Sequence, residues 1–284
     1  YGERYAVPER RSGWGPHPLL EAAIERMGVP AAVALQVTIY SEAPAGASTG
    51  TSAAVAVALV GALDRLTPGR LTPHEVAYTA QSVETELLGQ QCGIQDQLCA
   101  AYGGINFIEM FNYPHASVSQ LRLPDATWWE LERRLALVYL GNSHDSSQVH
   151  EMVIAGLEDA GPDHPALVAL RATAKPSANA LYDGEFGALG RAMITNTEAQ
   201  AQLHPRLVSA DARRVIEIAR DHGAIGWKVN GAGGEGGTLT LLCGPHASVK
   251  RTMLREIEEE SPLFTSIPVT LSRFGLRVWE RNDW

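Results

Sequence analysis

The sequence predicts an α+β protein in two domains, and three observations lead there. A strand-like stretch, a loop containing glycine and an apolar helical run follow one another over residues 31–63. The texture of the chain breaks between residues 112 and 130, at "NYPHAS" and "LPDATWWE". Beyond that break, helical and strand-like segments alternate in an order that favours mainly antiparallel pairing, the pattern of an α+β sandwich. The boundary is placed at 128/129, giving domains 1–128 and 129–284.

The elements follow in order. "YGERYAVPERRSGWGPHP" is rich in Pro, Gly and charge and reads as an irregular lead-in. "LLEAAIERMG" has helical spacing and stops at Gly28. "AAVALQVTIYS", residues 31–41, alternates loosely, carries β-branched residues and reads as a strand. "PAGASTGTSAA", residues 44–54, is small and hydroxyl-rich, and a helix of Ala, Val and Leu continues from it. The spacing predicts the next helix in "TPHEVAYTAQSVETELLG": Thr72 caps it, Pro73 suits its first position, Glu75 completes a capping box and Gly89 ends it. Val76, Ala80, Val83 and Leu87 form its buried stripe, and Glu84 and Glu86 flank that stripe on opposite sides, so only one can face a given cleft. "GINFIEMF" reads as a strand. In the second half "RLALVYLG" reads as a strand, "SSQVHEMVIAGL" and "ADARRVIEIARDHGA" as helices, the flanks of "KVNGAGGEGG" as strands, "HASVKRTMLREIEEE" as a helix and "SIPVTLSRFGLRVWE" as extended.

Bulk properties exclude several functions. A net charge of −9 over 284 residues argues against a general nucleic-acid or membrane-surface binder. The longest apolar run, 53–63, is far short of the roughly 20 residues a bilayer needs. Cys92, Cys99 and Cys243 offer no CxxC spacing, which fits a reducing, cytoplasmic setting without a disulfide or zinc framework.

Four stretches could carry chemistry. At the junction of the 44–52 loop with its helix, backbone N–H groups and the helix dipole favour an anion, and the hydroxyls of Ser48, Thr49, Thr51 and Ser52 can bind phosphate or a metal. The plain alternative is a turn and helix start, where Ser and Thr are favoured anyway. No lysine follows the glycine, so this is not a P-loop. In "GIQDQ", Asp96 begins a short helix whose dipole keeps the carboxylate ionised; near a phosphate site it can accept a proton from a hydroxyl. Glu84 is a suitable hard ligand for Mg²⁺. The alternative makes Asp96 an N-cap and Glu84 a solvated residue. "KVNGAGGEGG" lacks the helix that a dinucleotide fold requires after its glycines, because "TLTLLCG" is strand-like, but it still permits close approach to a ligand. In "SHDSSQVHE", His144, Asp145, His150 and Glu151 are potential metal ligands, yet His144 and His150 lie six apart, unlike the i, i+4 pair of a zinc helix. A polar helix-capping loop explains them better than a metal phosphohydrolase does.

Taken in series, "PAGASTGTSAA", "GIQDQ" and "KVNGAGGEGG" make the chain resemble the galactokinase–homoserine kinase–mevalonate kinase–phosphomevalonate kinase (GHMP) superfamily, from about Pro18 onward. "LLGQQCGIQDQLCAAYGGINFIEM" is most similar to the sugar-1-kinases of D-glycero-D-manno-heptose 7-phosphate. The resemblance implies a mixed-sheet N-terminal ATP-binding domain and a ferredoxin-like C-terminal domain, with ATP and Mg²⁺ as cofactors and a small-molecule sugar or sugar phosphate as substrate. It implies that Pro44, Gly46, Ala47, Ser48, Thr49, Gly50, Thr51 and Ser52 bind ATP, that Ser52 and Glu84 hold the metal, and that Asp96 is the base for the sugar hydroxyl. Lys228, Gly231, Ala232, Gly233 and Gly234 fall on the late motif that shapes the substrate site.

The chain departs from the family pattern in places. Ser48 stands where the family usually has glycine, Thr49 where it has leucine, and Glu235 replaces a customary glycine. No arginine follows "LVYLG", which keeps neutral hexoses and sugar acids open beside a heptose phosphate. The family's early strand has no counterpart in "YGERYAVPERR", so a preceding segment of fifty to seventy residues is expected, judging from typical domain sizes of roughly 50–250 residues. A homologue that binds nucleotide or sugar without catalysis is the alternative reading, and a homodimer stays open.

Overall fold

The computed structural model describes residues 6, 13–30, 32–41, 48–141, 153–157, 161–231, 233–234 and 236–281. They fall into two compact units, one made of Tyr1–Glu42, Ser52–Val118 and Ser272–Trp284, the other of Ala43–Thr51 and Ser119–Leu271.

The first unit is mainly helical. Helix α1 (Pro18–Met27) starts on a proline and closes on Gly28 in the left-handed conformation, with the Gly28 N–H bonded to the Glu25 carbonyl. Helix α2 (Thr51–Leu63) is apolar nearly all round, and a helix of that kind is stable only when packed. Ala56, Val57 and Val60 of α2 join Val76, Ala77 and Ala80 of α3 (Pro73–Ser82) and Ile94 and Leu98, all at most 2% exposed, in one core. The capping box at Thr72 and Glu75 is formed in both directions. Helix α3 then runs into a π-turn, Val83–Leu87, and α4 (Gln95–Tyr102) follows after a short loop.

Strands β1 (Ile105–Asn112) and β2 (His115–Leu121) pair with each other in a two-stranded sheet. The strand expected at 31–41 is not formed: residues 33–41 belong to no ladder and are exposed, Tyr40 at 84%. The side chains alternate as expected, but among the described residues no neighbouring strand supplies the hydrogen bonds that would make this stretch part of a sheet.

The second unit contains α5 (Asp125–Arg134), β3 (Leu135–Tyr139), α6 (Pro165–Ala172), α7 (Ala174–Asp183), α8 (Phe186–Leu203), α9 (Ala210–Asp221), β4 (Gly226–Val229), β5 (Thr238–Leu242), α10 (Ala247–Glu260) and β6 (Thr265–Ile267). Its sheet has the order β4-β5-β3-β6 with every pair antiparallel. The registers Leu137↔Thr240 and Val138↔Leu239 bring Val138, Leu239 and Leu241 into a core with Val215 and Ile218 of α9 and Met253 and Ile257 of α10. Helix α9 is capped by the Ser209 hydroxyl, which accepts from the Ala212 N–H.

Among the described residues no helix is long and apolar enough to cross a membrane, and Cys92, Cys99 and Cys243 form no disulfide.

Candidate active site

In the first unit, α2, the π-turn and α4 bring three polar side chains together. Ser52 stands in the first turn of α2. Glu84 lies in the π-turn, 5% exposed, and accepts a hydrogen bond from Gln97 Nε2 at 2.7 Å. Burial raises the Glu84 carboxyl above its ordinary value, the Gln97 amide and the nearby Ser52 hydroxyl oppose that rise, and the Asp96 charge adds to it. Glu86, on the other flank of the same turn, is exposed and pairs with Arg26 at 2.9 Å. Of the two glutamates that flank the helix stripe, Glu84 is the one turned inward, and it is not a solvated surface residue.

Asp96 sits in the first turn of α4, exposed. Ile94 holds the N-cap position, so Asp96 is not the cap. Cys92, beside this group, has its thiol pushed up to about 12, first by burial and then by the Glu84 charge; it stays protonated and unreactive at neutral pH.

In the second unit, the loop before α2 meets the late glycines. Ser48 takes φ +53°, the one positive value at a non-glycine residue among those described. This conformation costs an L-residue roughly 1–2 kcal/mol. Gly231, at φ +57°, lies so near that a Cβ on it would stand 3.3 Å from Ser48 Cβ. Thr49 and Thr51 share a hydroxyl hydrogen bond of 2.9 Å. Lys228 donates to Gln200 Oε1 at 2.7 Å and to the Val229 carbonyl, and Gln200 Nε2 donates to the Gly231 carbonyl at 3.0 Å. Burial lowers the Lys228 ammonium to about 8. Gly233 and Gly234 are buried, and a Cβ on Gly233 would stand 1.9 Å from the Leu207 carbonyl oxygen.

Ser52, Glu84 and Asp96 are thus gathered in one unit, and Ser48, Gly231 and Lys228 in the other. Pro44, Gly46, Ala47 and Ala232 lie outside the described residues, as do Glu235 and the His144, Asp145, His150 and Glu151 group. Two residues escaped the sequence reading. Gln97 was visible in "GIQDQ", one position past Asp96; Gln200, in the last turn of α8, carries no motif signal.

The donor set at Ser52 and Glu84 fits a hard divalent cation. A hydroxyl and a carboxylate are the oxygen ligands Mg²⁺ takes, and beside them the Gln97 carbonyl oxygen is buried with no hydrogen-bond partner among the described residues. Among the described residues no group of three His, Cys, Asp or Glu is placed to hold a metal ion.

Comparison with known proteins agrees with this picture. The family described as GHMP kinases N terminal domain matches residues 18–104. The chain is 26% identical over 240 residues to the D-glycero-alpha-D-manno-heptose 7-phosphate kinase of Campylobacter jejuni, covering 84% of this chain and 69% of that protein. It is 31% identical over 251 residues to the mevalonate kinase of Thermococcus onnurineus, covering 86% and 69%. Its fold matches the crystal structure of a D-glycero-D-manno-heptose 1-phosphate kinase from Bacteriodes thetaiotaomicron with a TM-score of 0.68 and 22% identity, over 93% of this chain and 75% of that one. With the sequence similarity and the fold in agreement, the chain belongs to the GHMP kinases, a family of small-molecule phosphotransferases.

Proposed function

We propose that the chain transfers the γ-phosphate of ATP, with Mg²⁺, to a hydroxyl of a sugar, and that the acceptor is the anomeric hydroxyl of a heptose phosphate or a related sugar. The observation that carries the reading is the buried Glu84 carboxylate held by Gln97 beside the Ser52 hydroxyl, with Asp96 nearby at the start of α4. Similarity to the heptose 7-phosphate kinase supports the sugar, and the higher identity to mevalonate kinase makes mevalonate a second acceptor to test.

In this reading the backbone N–H groups and hydroxyls of residues 44–52 bind the phosphate oxygens, with Ser48, Thr49, Gly50 and Thr51 among them. Ser52 Oγ and the Glu84 carboxylate hold the cation, which supplies neutralisation of phosphate charge when bound. Asp96 orients the acceptor hydroxyl and takes its proton while that oxygen bonds to the γ-phosphorus; the bond to the bridging oxygen breaks and ADP leaves. Lys228, Gly231, Ala232, Gly233 and Gly234 shape the substrate side.

The domains we propose are 1–128, the ATP-binding half with a mixed sheet, and 129–284, a ferredoxin-like half whose reading is supported by the strand order β4-β5-β3-β6. The three cysteines, an odd count without CxxC spacing, support a cytoplasmic setting. The test is ADP release from ATP across heptose phosphates, neutral hexoses, sugar acids and mevalonate. Turnover with a sugar supports the proposal, turnover with mevalonate alone replaces the sugar, and nucleotide binding without turnover on any acceptor overturns it in favour of a non-catalytic homologue.

A further inference from the structure

Gln97 is 2% exposed, yet only one end of its amide is satisfied. Nε2 donates to Glu84 Oε1 at 2.7 Å and approaches Cys92 Sγ at 3.9 Å, whereas Oε1 is buried and meets no donor among the described residues. A buried carbonyl oxygen without a partner is costly, so an amide at this position is expected to have a use for it. The groups recorded around it do not supply that use, since the Glu84 carboxylate is an acceptor and the Cys92 sulfur faces the amide nitrogen. An apolar side chain of similar size would avoid the unmet acceptor, but it would leave Glu84 without its shortest recorded hydrogen bond.

We propose that Gln97 is a positioning residue of the cation site: its Nε2 fixes the Glu84 carboxylate in the orientation that binds the cation, and its Oε1 accepts a hydrogen bond from a water in that cation's shell. Mg²⁺ gives up its waters reluctantly and keeps several in such sites, so a donor for Oε1 arrives with the hydrated ion. Partners that orient metal ligands in this way are worth about 10- to 100-fold in metal affinity. The inference rests on the cation-site reading of Ser52 and Glu84, and it does not depend on which acceptor is phosphorylated.

The test is calorimetric titration of the folded protein with ADP, once with Mg²⁺ and once in a chelator, for wild type, Gln97→Leu and Gln97→Asn. Wild type should bind ADP more tightly with Mg²⁺. Gln97→Leu should lose about 10- to 100-fold of the Mg²⁺-dependent affinity and keep its metal-free ADP affinity within about twofold. Gln97→Asn, which keeps both amide groups on a shorter stem, should fall between them, and it decides the matter if the leucine variant does not fold. Variants that fold and bind Mg²⁺-ADP as wild type does overturn the inference, and so does an equal loss with and without metal. A wild type indifferent to Mg²⁺ overturns both the cation site and the role of Gln97. Mg²⁺-dependent ADP binding that responds to residue 97, in a protein that turns over no acceptor, refutes the kinase proposal alone.

Discussion

Replacing Gly231 by alanine tests the approach of the late glycines to the loop before α2. Two costs add. The backbone stands at φ +57°, where an L-residue is strained by roughly 1–2 kcal/mol, offset by about 0.4–1 kcal/mol from the stiffer unfolded chain. The new methyl would also stand 3.3 Å from Ser48 Cβ, and crowding of this kind costs typically about 1–3 kcal/mol; the lower end applies here, because Gly231 is exposed and a few tenths of an ångström suffice. The sum is about 2 kcal/mol, a fall of about 4–8 °C in Tm at roughly 2–4 °C per kcal/mol. Gly223 is the control: its φ is +72°, and nothing lies within 4 Å of the place its methyl would take, so Gly223→Ala carries the backbone cost alone. Thermal unfolding followed by circular dichroism should therefore show Gly231→Ala falling further than Gly223→Ala. In a Ser48→Gly background the excess should vanish, which is the coupling a double-mutant cycle reads. The KM for ATP should rise in Gly231→Ala and stay unchanged in Gly223→Ala. Equal Tm losses in the two alanine variants, or an excess that survives Ser48→Gly, would refute the contact.

Other outcomes follow from the same geometry. Gly233→Ala sets a methyl 1.9 Å from the Leu207 carbonyl oxygen, and that overlap should leave the protein unfolded or insoluble, as circular dichroism and solubility will report. Glu84→Gln removes a buried carboxylate whose folded pKa is raised, so the native state binds more protons than the unfolded one above the ordinary value of 4.5 and wild-type stability falls as pH rises through that window. At pH 7 the variant without bound ligand should melt higher than wild type while its Mg²⁺-dependent ADP affinity drops about 10- to 100-fold, as calorimetry will show. Lys228 is depressed to about 8, so between about 8 and 10.5 the unfolded chain binds more protons and stability rises with pH. Lys228→Met should flatten that rise in denaturant titrations between pH 7 and 10.

Much of the local structure was legible because its signals are short-range. Thr72, Pro73 and Glu75 announce the start of α3, and Gly28 the end of α1. Angular spacing alone separated Glu84 from Glu86. The π-turn at 83–87 has no composition signal, and it is the feature that carries Glu84 into hydrogen-bond reach of Gln97. Residues 33–41 show why alternation is insufficient: period-two hydrophobicity describes a face, but a strand also needs a neighbour for its backbone. Gln200 was illegible for a related reason, since its two hydrogen bonds join β4 and the glycine loop, some thirty residues away. The positive φ of Ser48 was not read from the sequence, because a residue in "GASTG" does not show its backbone angle.

The most direct measurement of the central claim is Mg²⁺-dependent ADP release by the protein with its best acceptor, wild type against Asp96→Asn. Removing the proposed base while keeping the shape should lower kcat by about 10²–10⁴-fold and leave the KM for ATP near its wild-type value. Transfer at the wild-type rate by the folded Asp96→Asn protein would contradict the account.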